Sequence, residues 1–129
     1  MNNALNTYSK DDLIRLIEIY SKNWLAMDGL WFQSIERECG MDDAMHHDTV
    51  AWSQFTIIEA RRIKEFLQLP EKAGIDGLHK ALELRLCANF NNYSITADGN
   101  TLTYTSLSCR VQNARERKAC LSTPANLLV

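Results

Sequence analysis

A run of apolar residues spaced three and four apart is the feature that most constrains the fold of this chain. The run consists of Leu13, Ile17, Tyr20, Trp24, Met27, Trp31 and Ile35. This spacing keeps the side chains on one face of an α-helix, with the charged residues between them on other faces. Ser9 followed by Asp12 resembles a capping box, and Gly40 suits the left-handed position after a last turn. One long helix from Lys10 to Gly40 is therefore predicted.

A second helix is predicted from about Met41 to Leu69, where Pro70 stops it. Its apolar positions are Ala51, Trp52, Phe55, Ile58, Ile63, Phe66 and Leu67. Because the connection between the two helices is tight, they are expected to form an antiparallel hairpin over residues 9–69. A short helical piece, Ile75 to Ala81, follows the polar turn "PEKAG".

The apolar period changes after residue 81. The alternating apolar positions are Leu82, Leu84, Leu86, Ala88 and Phe90. Strict alternation favours a strand over 82–90, although these residue types also allow the helix to continue. In "SITADGNTLTYTSLSCRV", Asp98-Gly99 between β-branched and aromatic runs indicates a hairpin. The predicted fold class is α+β: a long antiparallel helical hairpin, then a short helix and an antiparallel β-hairpin over 75–111, then a basic, irregular tail over 112–129.

Composition limits the classes of function. A chain of 129 residues with 46% hydrophobic and 23% charged residues is long enough to bury one core, so a single domain, 1–129, is predicted. The net charge of -2 gives no positive field that would attract phosphates, which argues against nucleic-acid binding. No stretch approaches the roughly 20 apolar residues of a membrane span. We therefore expect a cytoplasmic protein without membrane contact, whose four singly spaced cysteines are reduced thiols.

The stretch "WLAMDGLWFQSIE" places an acid and a glycine, Asp28 and Gly29, in the middle of the first helix. Acidic and aromatic residues share one stripe on each helix: Asp28, Phe32 and Glu36 on the first, and Asp48, Trp52, Phe55 and Glu59 on the second. If the stripes face each other, the four carboxylates line a seam with aromatic walls that include Trp31 and Trp52. Burial there would raise some of their pKa values, so these acids are candidates for general acid/base catalysis or for binding a divalent metal. Gly29 would then let a ligand or a neighbouring backbone approach.

A structural alternative accounts for the same acids. Asp28 would interrupt or bend the helix, and its carboxylate would accept a hydrogen bond from a Trp indole or pair with Arg62 or Arg85. Acids that point to water or pair with these arginines would favour this alternative.

"DDAMHHD" places Asp42 four residues before His46, and Asp43 four residues before His47. This spacing occurs in helical metal sites, but two ligands do not fill a coordination sphere. The alternative is a solvated first turn whose acids complement the helix dipole.

Positive charges concentrate in "CRVQNARERK", which contains Arg110, Arg115, Arg117 and Lys118. Arg110 and Arg115 are candidates for binding a carboxylate or phosphate, because the guanidinium fork fits a planar anion. The alternative is a solvated tail that pairs with Glu116 and other nearby acids.

Three segments carry a family resemblance: "NWLAMDGLWFQSIERECG", in which Cys39 stands where Phe is expected, "AWSQFTIIEARRIKEFL" and "DGNTLTYTSLSCRVQNARERK". They resemble an uncharacterised family of prokaryotic cytosolic proteins that is remotely similar to L-2-amino-thiazoline-4-carboxylic acid hydrolases. The resemblance covers about Leu13 to Lys118, and its DGLWF and CRVQ-x-AR-x-RK blocks are specific. It implies an α+β fold and a small-molecule site.

The chain departs from the family pattern after Lys118. Members of the family continue with Gly-Leu-Pro and a long second half, whereas this chain ends with "ACLSTPANLLV". Deletion of one G from GGC CTG CC gives GCC TGC C, which encodes Ala-Cys and matches Ala119-Cys120. A frameshifted or truncated C-terminus is therefore hypothesised, and genomic sequence with no cysteine-rich continuation in any frame would contradict it.

Two functions follow from these features. The first is a small-molecule-binding domain that, in a complete form, hydrolyses a small carboxylated substrate, with the seam acids as base or metal ligands and the arginines holding the carboxylate. The second is a non-enzymatic module that dimerises through its tryptophans. Because a two-stranded ribbon has open edges, a homodimer is expected in either case.

Overall fold

Two long helices make up nearly half of the computed structural model, which describes residues 3–117. A 3-10 turn at Asn3–Thr7 precedes them, and six further elements follow it in chain order. These are α1 (Lys10–Cys39), α2 (Met41–Phe66), α3 (Gly74–Glu83), β1 (Asn92–Asp98), β2 (Thr101–Ser108) and α4 (Arg110–Arg117), with a second 3-10 turn at Leu86–Asn89. The predicted α+β class, with a helical hairpin followed by a β-hairpin, is confirmed.

Local signals set both ends of α1. The Ser9 hydroxyl accepts a hydrogen bond from the Asp12 backbone N–H at 3.2 Å, so the predicted cap is present. At the other end, the Gly40 N–H donates to the Glu36 carbonyl at 3.1 Å. Gly40 has a φ of 92°, which favours glycine, and α2 begins at the next residue. The chain therefore reverses within one residue, and α1 packs against α2 as an antiparallel pair.

α2 ends at Phe66, earlier than the predicted Leu69. A residue that precedes proline is disfavoured in the helical region, so Leu69 cannot continue the helix. Gln68 instead takes a left-handed φ of 52°. Its N–H donates to the Glu65 carbonyl and the Leu69 N–H donates to the Lys64 carbonyl, which together form a Schellman motif with Gln in the usual glycine position.

The strand predicted over 82–90 is wrong. α3 continues to Glu83, and the 3-10 turn Leu86–Asn89 follows it. The Glu59 carboxylate accepts a hydrogen bond from the Leu86 N–H at 2.7 Å. A side chain from α2 therefore satisfies the first backbone donor of this turn. Leu, Ala and Glu are good helix formers, and α3 continues to Glu83 in spite of the alternating pattern.

The predicted β-hairpin is confirmed. β1 and β2 pair in antiparallel register from Asn92 opposite Ser108 to Asp98 opposite Thr101. The loop is Gly99-Asn100, and Gly99 alone has a positive φ, 57°, which suits the first central position of a type II′ turn. The sheet of the described residues has two strands and lies against α3.

The basic segment predicted to be irregular from residue 112 is helical as far as the structure describes it. The Asn91 side-chain oxygen accepts a hydrogen bond from the Arg110 N–H at 3.0 Å, which satisfies one free donor at the start of α4. Arg115 then attaches α4 to α1, as described below. The remainder of the predicted tail, residues 118–129, lies outside the described residues.

Burial of apolar side chains is slight throughout residues 3–117. The buried apolar residues there are Ala44, between α1 and α2, and Cys87, in the second 3-10 turn. Large apolar side chains are exposed on both long helices, including Tyr20, Met27 and Ile57 at 59%, 58% and 62%. No helix within this range is long and apolar enough to cross a membrane. Side-chain hydrogen bonds and two ion pairs also connect the elements.

Candidate functional site

An open cavity lies between α1 and α2, with a volume of about 560 Å³. Aromatic and aliphatic side chains form most of its lining. The aromatic lining is Trp24, Trp31 and Phe32. The polar lining is Asp28, His47, Asp48 and Gln54. Asp28 comes from the middle of α1 and Asp48 from the second turn of α2, so the helical hairpin brings together two acids that lie 20 positions apart in the sequence.

Asp28 and Asp48, called here the cavity acids, are both half-buried. Burial, and after it the negative charge of Asp48, together raise the pKa of Asp28 from 3.8 to about 6. Burial also raises the pKa of Asp48, while a hydrogen bond from the Trp52 side chain lowers it in part. Neither cavity acid forms an ion pair within residues 3–117. Asp28 can therefore gain or lose a proton close to neutral pH.

Aromatic contacts hold one wall of the cavity in place. Trp24 stacks on Phe55, with ring centroids 4.9 Å apart and planes at 26°, and meets the edge of Trp52 at 5.3 Å. Trp52 does not line the cavity but bonds Asp48 and packs behind Trp24. Trp31 is 66% exposed and lies at the open side. The site thus has a packed aromatic wall and a second aromatic ring that faces solvent.

Glu36 and Glu59, called here the paired acids, do not line the cavity. The Arg115 guanidinium donates to both carboxylate oxygens of Glu36, at 3.0 and 3.4 Å. Its carbon also lies 5.3 Å from the centroid of the Phe32 ring, a cation–π contact. This pair connects α4 to α1, and one guanidinium nitrogen, Arg115 Nε, is buried without a hydrogen-bond partner.

Glu59 has a comparable role in α2. Arg85 Nε donates to one carboxylate oxygen at 3.1 Å, and the Leu86 N–H donates to the other at 2.7 Å. The side chains of Glu59 and Arg85 are only 10% and 20% exposed. The structural alternative gave two arginines as possible partners of Asp28, and Arg85 was one of them. Arg85 pairs with Glu59 instead.

The sequence-predicted site residues therefore separate into two groups. The cavity receives both cavity acids and Trp31, whereas the paired acids and Arg115 form connections between elements. The Arg110 side chain is exposed and does not line the cavity. His47 does line it, although the sequence pattern associated His47 with Asp43 as a metal ligand. His47 lies three residues after Ala44 and four before Ala51, which also line the cavity, and this helical spacing was the signal that would have placed it there.

Two predicted details of the site can be compared with the geometry. A Cβ on Gly29 would approach no atom closer than Gln33 Nε2 at 4.0 Å, which is ordinary contact, so nothing in the described chain requires glycine there. Within residues 3–117, no three His, Cys, Asp or Glu side chains form a group that could hold a metal ion. The rings of His46 and His47 meet edge to face with centroids 5.5 Å apart.

No curated protein and no solved structure matches this chain. One family model, described as a family of unknown function (DUF6125), matches residues 6–128. The match includes all three segments that carry the resemblance noted above and continues through the segment that the frameshift hypothesis concerns. That hypothesis and the remote similarity to thiazoline-carboxylate hydrolases both stay predictions. Since the match covers nearly the whole sequence, the chain belongs to this family of unknown function, DUF6125.

Proposed function

We propose that this chain is a small-molecule-binding domain whose site is the cavity between α1 and α2. One observation carries the proposal: two half-buried carboxylates that have no ion partner among residues 3–117 share an open cavity with aromatic walls. Ligand pockets are typically about 300–1,000 Å³, mainly apolar, with a few polar groups that fix orientation. A cavity of about 560 Å³ with this lining fits that description.

Catalysis would be a further step of this proposal. Asp28 has a pKa of about 6, which suits a general base near neutral pH. The resemblance to hydrolases implies that the substrate is a small carboxylated molecule. However, no Arg or Lys lines the cavity, so nothing among the described residues would hold a substrate carboxylate there. The geometry therefore supports binding better than hydrolysis of an anion.

Two substitutions of the same type test whether ligands enter the cavity. Ala51 lines it, whereas Ala60 lies on an exposed part of α2 outside it. A fragment library would be screened by fluorine NMR on protein that contains fluorotryptophan. We expect bound fragments to shift the Trp24 and Trp31 signals, Ala51→Leu to abolish those shifts and Ala60→Leu to preserve them. Fragments that bind equally to both variants would place ligand binding elsewhere.

A second candidate is a module that associates with itself. The observation that favours it is the exposure of large apolar side chains, with Tyr20, Met27 and Trp31 all more than half exposed along α1. Large exposed apolar patches on soluble proteins commonly mark surfaces that bind another protein. Light scattering should then give twice the monomer mass, and Tyr20→Lys should restore the monomer mass. A wild-type monomer at high concentration would contradict the proposal.

A further inference from the structure

The charges around the cavity are unbalanced. Each paired acid has an arginine within hydrogen-bond distance, at 3.0 Å for Glu36 and 3.1 Å for Glu59. The cavity acids have no such partner in residues 3–117, and no Arg or Lys lines the cavity. Half-buried carboxylates without a counter-ion are costly when ionised. A positive charge in the cavity would supply what the described residues do not.

The walls of the cavity also favour a positive charge. Aromatic rings carry negative charge on their faces and attract cations within about 6 Å of the ring centroid. Trp24, Trp31 and Phe32 all line the cavity. Phe32 already makes one contact of this kind, with the Arg115 guanidinium at 5.3 Å. The same rings would cover the apolar part of a ligand.

We propose that the cavity binds an organic cation, an amine in its ammonium form joined to an apolar body. This inference rests on the proposed ligand-binding function and names the class of ligand. The cavity acids would accept hydrogen bonds from the ammonium group, and Trp24 and Trp31 would contact the apolar body. An anion would meet two carboxylates, and a neutral ligand would leave them without a counter-ion.

Binding of a cation should depend on pH in a defined direction. The pKa of Asp28 is about 6 in the empty cavity, because of burial first and of Asp48 second. Asp48 and His47 are the other titratable side chains of the lining, and the Arg115 guanidinium over Phe32 is paired with Glu36. A bound ammonium group favours the ionised form of Asp28, so the affinity for the ammonium ligand should be highest above pH 6 and should fall as pH drops through 6. A neutral ligand with the same apolar body should not show this dependence.

Three probes that share the same apolar body and differ in their polar group test the inference by isothermal titration calorimetry. They are benzylamine, benzyl alcohol and benzoate. We expect benzylamine to bind at least about tenfold more tightly than benzyl alcohol, since charge-assisted hydrogen bonds are stronger than neutral ones. Benzoate should bind most weakly. Asp28→Asn should remove most of the preference for benzylamine and retain the affinity for benzyl alcohol. The exposed Glu65→Gln, which changes the net charge equally, should leave the preference intact.

The possible outcomes separate the two proposals. Equal binding of benzylamine and benzyl alcohol, or tightest binding of benzoate, would overturn the cation inference and leave the ligand-binding function in place. Binding that Asp28→Asn and Glu65→Gln weaken equally would reflect net charge alone and would also overturn the inference. Absence of binding by all three probes to the wild-type chain would overturn both proposals at this cavity.

Discussion

Of the four acids predicted to line the seam, two lie against arginines, and the other two share a cavity that no Arg or Lys of residues 3–117 lines. The paired acids connect elements that are distant in sequence: Glu59 contacts Arg85, 26 residues away, and Glu36 contacts Arg115, 79 residues away. The cavity acids make no such connection, and burial raises the pKa of both. Carboxylates on the same pair of helices therefore connect elements where an arginine reaches them, whereas the cavity acids have no such partner among the described residues.

The paired acids connect elements in a chain that has little apolar burial among its described residues. Ala44 and Cys87 are the buried apolar residues of the described range. Glu59 fixes the turn after α3 by bonding both Arg85 and the Leu86 N–H. Contacts of this type contribute more when they are sheltered from water, as here. Loss of a paired acid and loss of a cavity acid should thus have opposite effects on stability.

The largest effect is expected for Glu59→Ala. The substitution leaves Arg85, 20% exposed, without its partner and leaves the Leu86 N–H unbonded. Removal of one member of a buried, hydrogen-bonded pair costs about 2–4 kcal/mol of unfolding free energy. Urea denaturation would measure the loss. The exposed Glu65→Ala on the same helix is the matched control, with an expected change within about 0.5 kcal/mol. Equal effects for the two variants would contradict a structural role for Glu59.

A smaller and more local effect is expected for Arg115→Ala. This arginine attaches α4 to Glu36 and covers the Phe32 ring. Its loss should cost about 1–2 kcal/mol and should release α4 without unfolding the helical hairpin. Hydrogen exchange should accelerate in residues 110–117 and stay unchanged in α1 and α2. Arg115→Lys should not restore protection, because lysine cannot form the two-pronged contact.

Arg117→Ala, on an exposed position of α4, is the control for that experiment. Its exchange rates should match those of the wild type. Faster exchange in the control would mean that α4 is weakly held in general and that the contact with Glu36 is not its anchor.

Local sequence signals predicted the elements that depend on near neighbours. The apolar spacing along α1 and the single residue Gly40 were sufficient for the helical hairpin, and Asp98-Gly99 was sufficient for the β-hairpin. Residues 82–90 could not be predicted in this way, because their alternation and their helix preference disagree. The deciding contact comes from Glu59, and no pattern within 82–90 contains it.

The candidate site was likewise predictable only where it depends on near neighbours along each helix. Helix periodicity placed Asp28 and Asp48 in one seam, because both lie on long helices joined by a tight turn. It also placed Glu36 and Glu59 there, since periodicity gives the face of a helix and not the partner of a side chain. Arg115 reaches Glu36 only because its segment forms a helix that docks on α1, whereas its charge pattern suggested a solvated tail.

Asp28→Asn should act in the opposite direction to the substitutions of the paired acids. Because the pKa of Asp28 is raised from 3.8 to about 6, the folded state binds more protons than the unfolded state between those pH values. Stability therefore falls as pH rises through this window, and the full penalty applies at pH 7. Discounted for partial exposure to solvent, the penalty is about 1 kcal/mol. Urea denaturation at pH 4 and pH 7 should show that Asp28→Asn is more stable than the wild type at pH 7 only.

The smallest effect concerns the coupling between the cavity acids. The charge of Asp48 is the second cause of the raised pKa of Asp28, after burial. Asp48→Asn removes that charge and keeps an oxygen that can accept the hydrogen bond from Trp52. The pKa of Asp28 should then fall but stay above 3.8, because burial remains. Carbon-detected NMR of the Asp28 carboxyl would follow the titration, with the exposed Asp43→Asn as control. An unchanged midpoint in Asp48→Asn would mean that the two acids do not sense each other, and that a single buried carboxylate defines the charge of the cavity.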